Sequence, residues 1–459
     1  MNATSDRLSR WTPVMFACAL VNLGLGLLLA VLGLGWPAVP ASAPVSLAMV
    51  HLLTIGWLTL LMFGALFQFV PVITGRTLPS QTLPLLTLIG IECGLALMVG
   101  GFCALGRSTA AGLMLPVGGS LVIAALVVGA ATLLVPLAAK RPAPLSARFV
   151  IAGLGFLLLT ILLGLSLALA LTVPATGPAL APLLAEGVAY HALAGIGGWF
   201  TLTAIGVSYE LLPMFMLASH ARGRLGAAVL WVGVGGFLAA LAAGLAAIVW
   251  PAGWIAALEQ AGRGAIGLAL GLYLADVVRL YRGRRRRQIE LHNRAAIGAF
   301  VALGLAVLLA VGAAVTDRLA DLAPSLVLLV LLGWLSGLGL TQLYKVAAFL
   351  AWLSRYGGRL GRGPVPRVQD LVNEPGAVGF FVLYFASIAI AAGAAMFGLS
   401  DVIRLALACA LLAVLLLGRE YARAWGAFYV RPTRDAAPQS PPSLIRKEFA
   451  DDPSRSPHA

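Results

Sequence analysis

The sequence predicts an all-α, polytopic membrane protein of twelve transmembrane helices, arranged as three four-helix arcs with pseudo-threefold symmetry. Three observations carry this. Of 459 residues, 61% are hydrophobic and 10% charged, which leaves too little polar surface for a soluble domain of this size. Uninterrupted apolar runs of about 20 residues, the length that crosses a bilayer, recur from end to end. A motif centred on Gly-Trp returns at every fourth run. An outer-membrane barrel is excluded, because its strands alternate apolar and polar residues over short segments.

Cut at charged, Gly/Pro or Ser-rich breaks, the runs fall at about 13–35, 45–72, 84–106, 112–138, 148–172, 187–216, 226–250, 264–281, 295–315, 324–353, 377–398 and 401–425. The first follows Arg7 and Arg10 and precedes Ala41-Ser42-Ala43, as a signal peptide would. It is too long for a signal core, and Pro44 follows the would-be cleavage point, so it is read as a retained span. Residues 1–430 thus form one membrane domain, with repeat units at about 13–138, 148–281 and 295–425. The tail at 431–459, rich in Pro, Ser and charge, is expected to be disordered and cytoplasmic.

The net charge of +14 is read loop by loop. If the N-terminus is cytoplasmic, the outer connections carry only Arg107, Arg263, Arg318 and Arg404, while the cytoplasmic segments and tails carry 26 of the 31 basic residues. This asymmetry places both termini in the cytoplasm and the chain in a bacterial inner membrane. Charge here reports orientation, so the lipid bilayer is an expected partner and nucleic acid is not. The densest run, Arg282 to Arg287 broken by Gly283, is expected to anchor the loop between spans 8 and 9 near anionic lipid. Cys18, Cys93, Cys103 and Cys409 form no CxxC pair and read as small core residues.

Spans 2, 6 and 10 share a register counted from Trp57, Trp199 and Trp334. Thr59 and Thr201 stand at +2, Gly64 and Gly206 at +7, Phe67 and Tyr209 at +10, Gln68 and Glu210 at +11, and Pro71 and Pro213 at +14. Span 10 follows more loosely, with Ser336 at +2, Tyr344 at +10, Lys345 at +11 and Ala348 where the others have proline. The tryptophans are 142 and 135 residues apart, four spans each time. Equivalent helices should then gather their polar residues in the bundle interior, where intramembrane polar groups mark function. The small residues at +2 and +7 admit close helix approach, and the proline ends or kinks the helix.

His51 and His191 are the histidines placed in spans, both in the outer part; His220 and His292 fall in loops and His458 in the tail. An imidazole at that depth binds haem iron or copper, accepts protons, or bonds a backbone carbonyl. His51 is six residues before its tryptophan and His191 eight, so they differ by about 200° around equivalent helices. Met49 is the counterpart of His191 and reads either as a core residue or as a soft axial ligand. Gln68, Glu210 and Lys345, with Tyr209 and Tyr344, make a candidate polar pathway. Within it Glu210 and Lys345 pair or admit protons; alternatively Lys345 snorkels to the interface and Glu210 meets a local donor. No Walker loop, nucleophile motif, dinucleotide fingerprint or carboxylate cluster appears, which argues against hydrolytic chemistry.

Twelve spans as three arcs, with a histidine high on spans 2 and 6, resemble subunit I of the haem-copper oxidases and nitric oxide reductases. The segment Gly64-Ala-Leu-Phe67-Gln-Phe-Val-Pro71 is similar to the end of the second helix in the cbb3-like branch, and Leu343-Tyr344-Lys345 with Phe349 and Trp352 is similar to oxidase-like relatives. The resemblance implies a haem ligand at His51 and a copper ligand at His191. The family's histidine pair after the sixth helix and its two tenth-helix histidines have no counterpart in spans 7 and 10. It therefore implies a degenerate member, holding a haem or copper by His51 and His191, together or with Met49. Respiratory electron transfer, metal handling or nitric-oxide response beside other respiratory-chain subunits would follow, without full oxygen or nitric-oxide reduction. Two other expectations differ in class, namely a transporter or channel using Glu210 and Lys345, and a non-catalytic assembly partner of a respiratory oxidase.

Overall fold

The computed structural model describes residues 10–173, 176–218, 224–360 and 364–426. The expected tail at 431–459, with His220 and His458, lies outside them. The described chain forms twelve helices long and apolar enough to cross a membrane: α1 (Thr12–Val31), α2 (Pro44–Thr74), α3 (Leu83–Ala104), α4 (Ala111–Ala138), α5 (Leu145–Thr172), α6 (Leu180–Met216), α7 (Arg224–Val249), α8 (Gly253–Arg282), α9 (Leu291–Val315), α10 (Leu319–Arg359), α11 (Glu374–Ala395) and α12 (Ser400–Ala424). The all-α, twelve-span expectation holds. Three helices begin well before the sequence placed them, and α8 shows why. Cutting at Glu259 and Arg263 truncates it, yet these two pair one turn apart and Tyr190 of α6 donates to Glu259 at 3.2 Å. The charges are neutralised in place, so the helix runs on.

The outer surface is apolar, as lipid requires: Trp231 is 65% exposed, Leu308 71% and Val249 86%. Trp250 and Trp254 lie exposed where α7 meets α8, the position of an interfacial aromatic belt. The cysteine expectation needs correction. Cys93 and Cys103 are exposed, and Cys18 and Cys409 are half-buried. A thiol is apolar enough to face lipid, so cysteine in a span does not imply a core position.

Neighbour relations repeat from unit to unit. The third and fourth helices pack together as α3 on α4, α7 on α8 and α11 on α12, and the first packs on the second as α1 on α2, α5 on α6 and α9 on α10. The units join α4 to α5, α8 to α9, and α12 back to α1. At the last junction the Arg404 guanidinium donates to Val31 O at 3.1 Å. The chain therefore closes into a ring around α2, α6 and α10, whose tryptophans Trp57, Trp199 and Trp334 are buried.

The three inner helices share an irregularity. Each turns from α-helix to π-helix, over Leu52–Thr59, Leu193–Thr201 and Leu328–Ser336, and each π segment ends on the +2 residue. The hydroxyls explain part of this, because Thr201 Oγ1 donates to Ile196 O at 2.8 Å and Ser336 Oγ to Leu331 O at 2.7 Å, both five residues back. The residue before each tryptophan is glycine, and a Cβ there would collide with the first helix of its own unit. From Gly56 it would lie 2.6 Å from Asn22, from Gly198 2.3 Å from Phe156, and from Gly333 2.8 Å from Ala302. The close approach expected at +7 is also present, with Gly64 against Phe16 at 3.0 Å and Gly206 against Phe149 at 2.6 Å. The equivalence covers packing but not every bond: Trp57 Nε1 donates to Ser336 Oγ at 2.9 Å, whereas the Trp199 and Trp334 indoles have no hydrogen-bond partner.

Candidate metal centre and its polar surroundings

His51 and His191 each stand at the junction where their helix turns from α to π. His51 Nδ1 lies 2.7 Å from Leu47 O, one turn back, and the ring sits beside Phe102 of α3 with centroids 5.1 Å apart. His191 Nδ1 lies 3.1 Å from Thr160 O of α5. Its ring lies flush on Gly164, where a Cβ would stand 3.0 Å from Cε1. A carbonyl only accepts, so each Nδ1 carries the proton and each Nε2 keeps a lone pair. Neither Nε2 has a hydrogen bond among the described residues. A backbone-anchored Nδ1–H with a free Nε2 is the usual posture of a metal-ligating histidine. Met49 lies two residues before His51 on α2. It is 6% exposed, and its sulfur lies 3.2 Å from the Cβ position of Gly35.

The described residues contain no group of three or more His, Cys, Asp or Glu able to hold a metal ion. Two imidazoles are too few for a closed site of four protein ligands, but suffice for haem, which brings its own equatorial nitrogens.

The +11 residues do not meet one another; each ties its helix to the first helix of its own unit. Gln68 donates to Thr12 Oγ1 at 2.9 Å, and Glu210 accepts from Ser146 at 3.2 Å. Lys345 pairs at 2.6 Å with Glu290, the residue that leads into α9. Tyr209 and Tyr344 are buried with hydroxyls lacking hydrogen-bond partners. Tyr209 lies edge-on to Tyr273 at 5.6 Å, and Tyr344 packs against Phe381 at 5.8 Å.

Several polar groups escape the sequence reading. His292 is not in a loop: α9 starts at Leu291, so the imidazole falls in its first turn, 1% exposed, edge-on to Phe215 at 4.7 Å and 3.5 Å from Glu290. Arg286 also pairs with Glu290, in a non-helical connection where the four-residue spacing carries no signal in the sequence. Partial burial works against charge on Glu290, but the hydrogen bond and charge of Lys345, then His292 and Arg286, hold its carboxyl below the ordinary carboxylate range. Asn22 donates to Glu92 at 2.9 Å, and these lone polar residues of α1 and α3 could have been flagged as intramembrane polar groups. Between α2, α6 and α10 lies a cavity of about 100 Å³, lined at the shared +8 position by Ala65, Val207 and Gln342. The Gln342 amide is buried there without a partner. Compared with known proteins, the chain matches no family model and no curated sequence.

Proposed function

We propose that this is a bacterial inner-membrane protein of the oxidase subunit I type that holds a haem, or failing that a copper ion, at His51 and His191. Its role would be respiratory electron transfer, metal handling or nitric-oxide response beside other respiratory subunits, with both termini and the arginine-rich face in the cytoplasm. The observation that carries the reading is the matched posture of the two imidazoles, each with Nδ1 held by a backbone carbonyl and Nε2 unengaged. Such a metal, when bound, supplies one-electron redox chemistry. The chain's own part is orientation: Leu47 O and Thr160 O fix the ring protons, while Phe102 and Gly164 set the ring planes. Apart from these two, no histidine is offered by α7 or α10, so oxygen or nitric-oxide reduction is not part of the proposal.

A transport reading would rest on Glu210 and Lys345. Among the described residues Lys345 pairs with Glu290 and Glu210 accepts from Ser146. The cavity among the inner helices is lined mainly by leucines and other apolar side chains.

The test is a reduced-minus-oxidised visible spectrum with metal analysis on detergent-purified protein. The expected result is a haem or copper signal that His51→Ala and His191→Ala each abolish. A colourless, metal-free protein after expression with haem precursor and copper supplied would overturn the proposal.

A further inference from the structure

The connection between α8 and α9 is held in place along its length. Arg286 donates its backbone N–H to Met216 O at 3.3 Å and its guanidinium to Phe215 O at 3.3 Å, both at the end of α6. Its pairing with Glu290, and that of Glu290 with Lys345, fasten the segment to α10 as well. Folded back in this way, the basic run becomes one wall of an open cleft of about 800 Å³, with Arg284, Arg286, Arg287 and Arg294 on its lining. Gln369 and Glu374, from the connection between α10 and α11, line it too. This size falls in the range of small-molecule sites, roughly 300–1,000 Å³.

The charges in the cleft do not cancel. Four arginines face two carboxylates, Glu290 and Glu374, an excess of two positive charges (4 − 2). Glu290 is already shared by Arg286 and by Lys345, which is itself not on the lining. Arg284 spends one N–H on Tyr281 O, and Arg287 and Arg294 have no ion pair among the described residues. The 25-residue helix α9 begins in the same wall, and no side chain caps its N-terminus, so the positive end of its dipole adds to the field. Uncompensated guanidiniums held together on a fixed concave surface bind phosphate well, because each planar fork meets two phosphate oxygens.

We propose that this cleft is a binding site for an anion carrying two or more neighbouring phosphate groups, with Arg284, Arg287 and Arg294 as its guanidinium ligands. Two sources share that chemistry, a soluble di- or triphosphate and the headgroup of a diphosphate lipid. Neither depends on the histidines or on any redox role.

The experiment is calorimetric titration of the purified full-length protein with inorganic pyrophosphate, in detergent and in phosphatidylcholine nanodiscs with and without cardiolipin. Saturable binding is expected, weakening at least tenfold between about 50 and 300 mM salt as the cation screen builds. The triple variant Arg284→Gln, Arg287→Gln, Arg294→Gln should lower affinity tenfold or more, while Arg76→Gln, at an exposed arginine away from the cleft, leaves it unchanged. If cardiolipin abolishes pyrophosphate binding and is retained by wild type but not by the triple variant, the lipid is the source. If cardiolipin leaves pyrophosphate affinity untouched, the soluble anion is. Absence of saturable pyrophosphate binding together with no cardiolipin retention above that of the triple variant overturns the proposal, as does binding that the triple variant matches.

Discussion

At the scale of single residues, Lys345 shows how a membrane-buried charge is made tolerable. Its ammonium and the Glu290 carboxylate lie 2.6 Å apart with side chains 18% and 17% exposed, so each is largely withdrawn from solvent and depends on the other. Lys345→Met leaves the carboxylate with Arg286 and His292 and should cost about 1–3 kcal/mol, read as a lower melting temperature of the detergent-solubilised protein. Adding Glu290→Gln should restore part of that loss; a double variant that melts below either single one would show that the pair does not stabilise. The pH dependence has a definite sign. The folded carboxyl is held below its ordinary value of about 4.3, so its contribution is complete at neutral pH and is lost only as pH falls through that lowered value. Melting temperature should therefore drop more steeply below about pH 4.3 in wild type than in Glu290→Gln. Sequence periodicity singled out Lys345, Glu210 and Gln68, because polar residues in apolar helices stand out. It did not identify their partners, since Thr12, Ser146 and Glu290 are ordinary residues at helix starts and only the fold brings them near.

The same scale carries a sharper check on His191. A methyl on Gly164 would stand 3.0 Å from its Cε1, so Gly164→Ala should push the ring by a few tenths of an ångström without unfolding the helix pair. On the proposed reading, the visible spectrum shifts or weakens severalfold in this variant while the melting temperature changes little. An unchanged spectrum in a metal-loaded Gly164→Ala protein would mean that His191 is not a ligand.

At the scale of elements, the inner helices were legible as a repeat and opaque as a conformation. The Gly-Trp register made α2, α6 and α10 equivalent, and the structure gives all three a π segment ending at the same position. No composition rule distinguishes π from α helix, because the extra residue per turn is accommodated by neighbours in space and by hydroxyls reaching five residues back. The glycine before each tryptophan lets the first helix of each unit approach, and this sets an expectation about substitution. Gly198→Ala would put its Cβ 2.3 Å from the Phe156 ring and should destabilise by about 1–3 kcal/mol. Gly267→Ala, in the middle of α8 with nothing within 4 Å of the new methyl, should be neutral or stabilise by up to about 1 kcal/mol through helix propensity alone. Thermal melts of the two variants side by side decide the matter, and equal effects would remove the close-approach argument. The misplaced start of α8 belongs here too, since charge in a sequence looks like a break until Tyr190 and Arg263 are seen to satisfy Glu259.

At the scale of the whole molecule, ring closure was invisible in the sequence, where Arg404 counted only as a charge in an outer connection; in the fold it clamps α12 to α1 through Val31 O. The two candidate sites lie toward different parts of α6. His191 lies eleven residues into α6 and Met216, which holds Arg286, is its last residue, and the 25 residues between them (216 − 191) cover at most about 38 Å of helix. Sites that far apart, with no shared side chain, should behave additively unless a two-state element links them. α10 is a candidate link, because it carries both Ser336, bonded to Trp57, and Lys345, bonded to Glu290 at the cleft. With additive sites, His51→Ala should leave pyrophosphate affinity within about twofold of wild type, and the triple arginine variant should leave the visible spectrum unchanged. A tenfold cross-effect in either direction corresponds to about 1.4 kcal/mol of coupling, and reciprocity then requires the same factor in the other; finding it would make α10 a transmitting element and assign the anion a regulatory part in whatever the histidines hold.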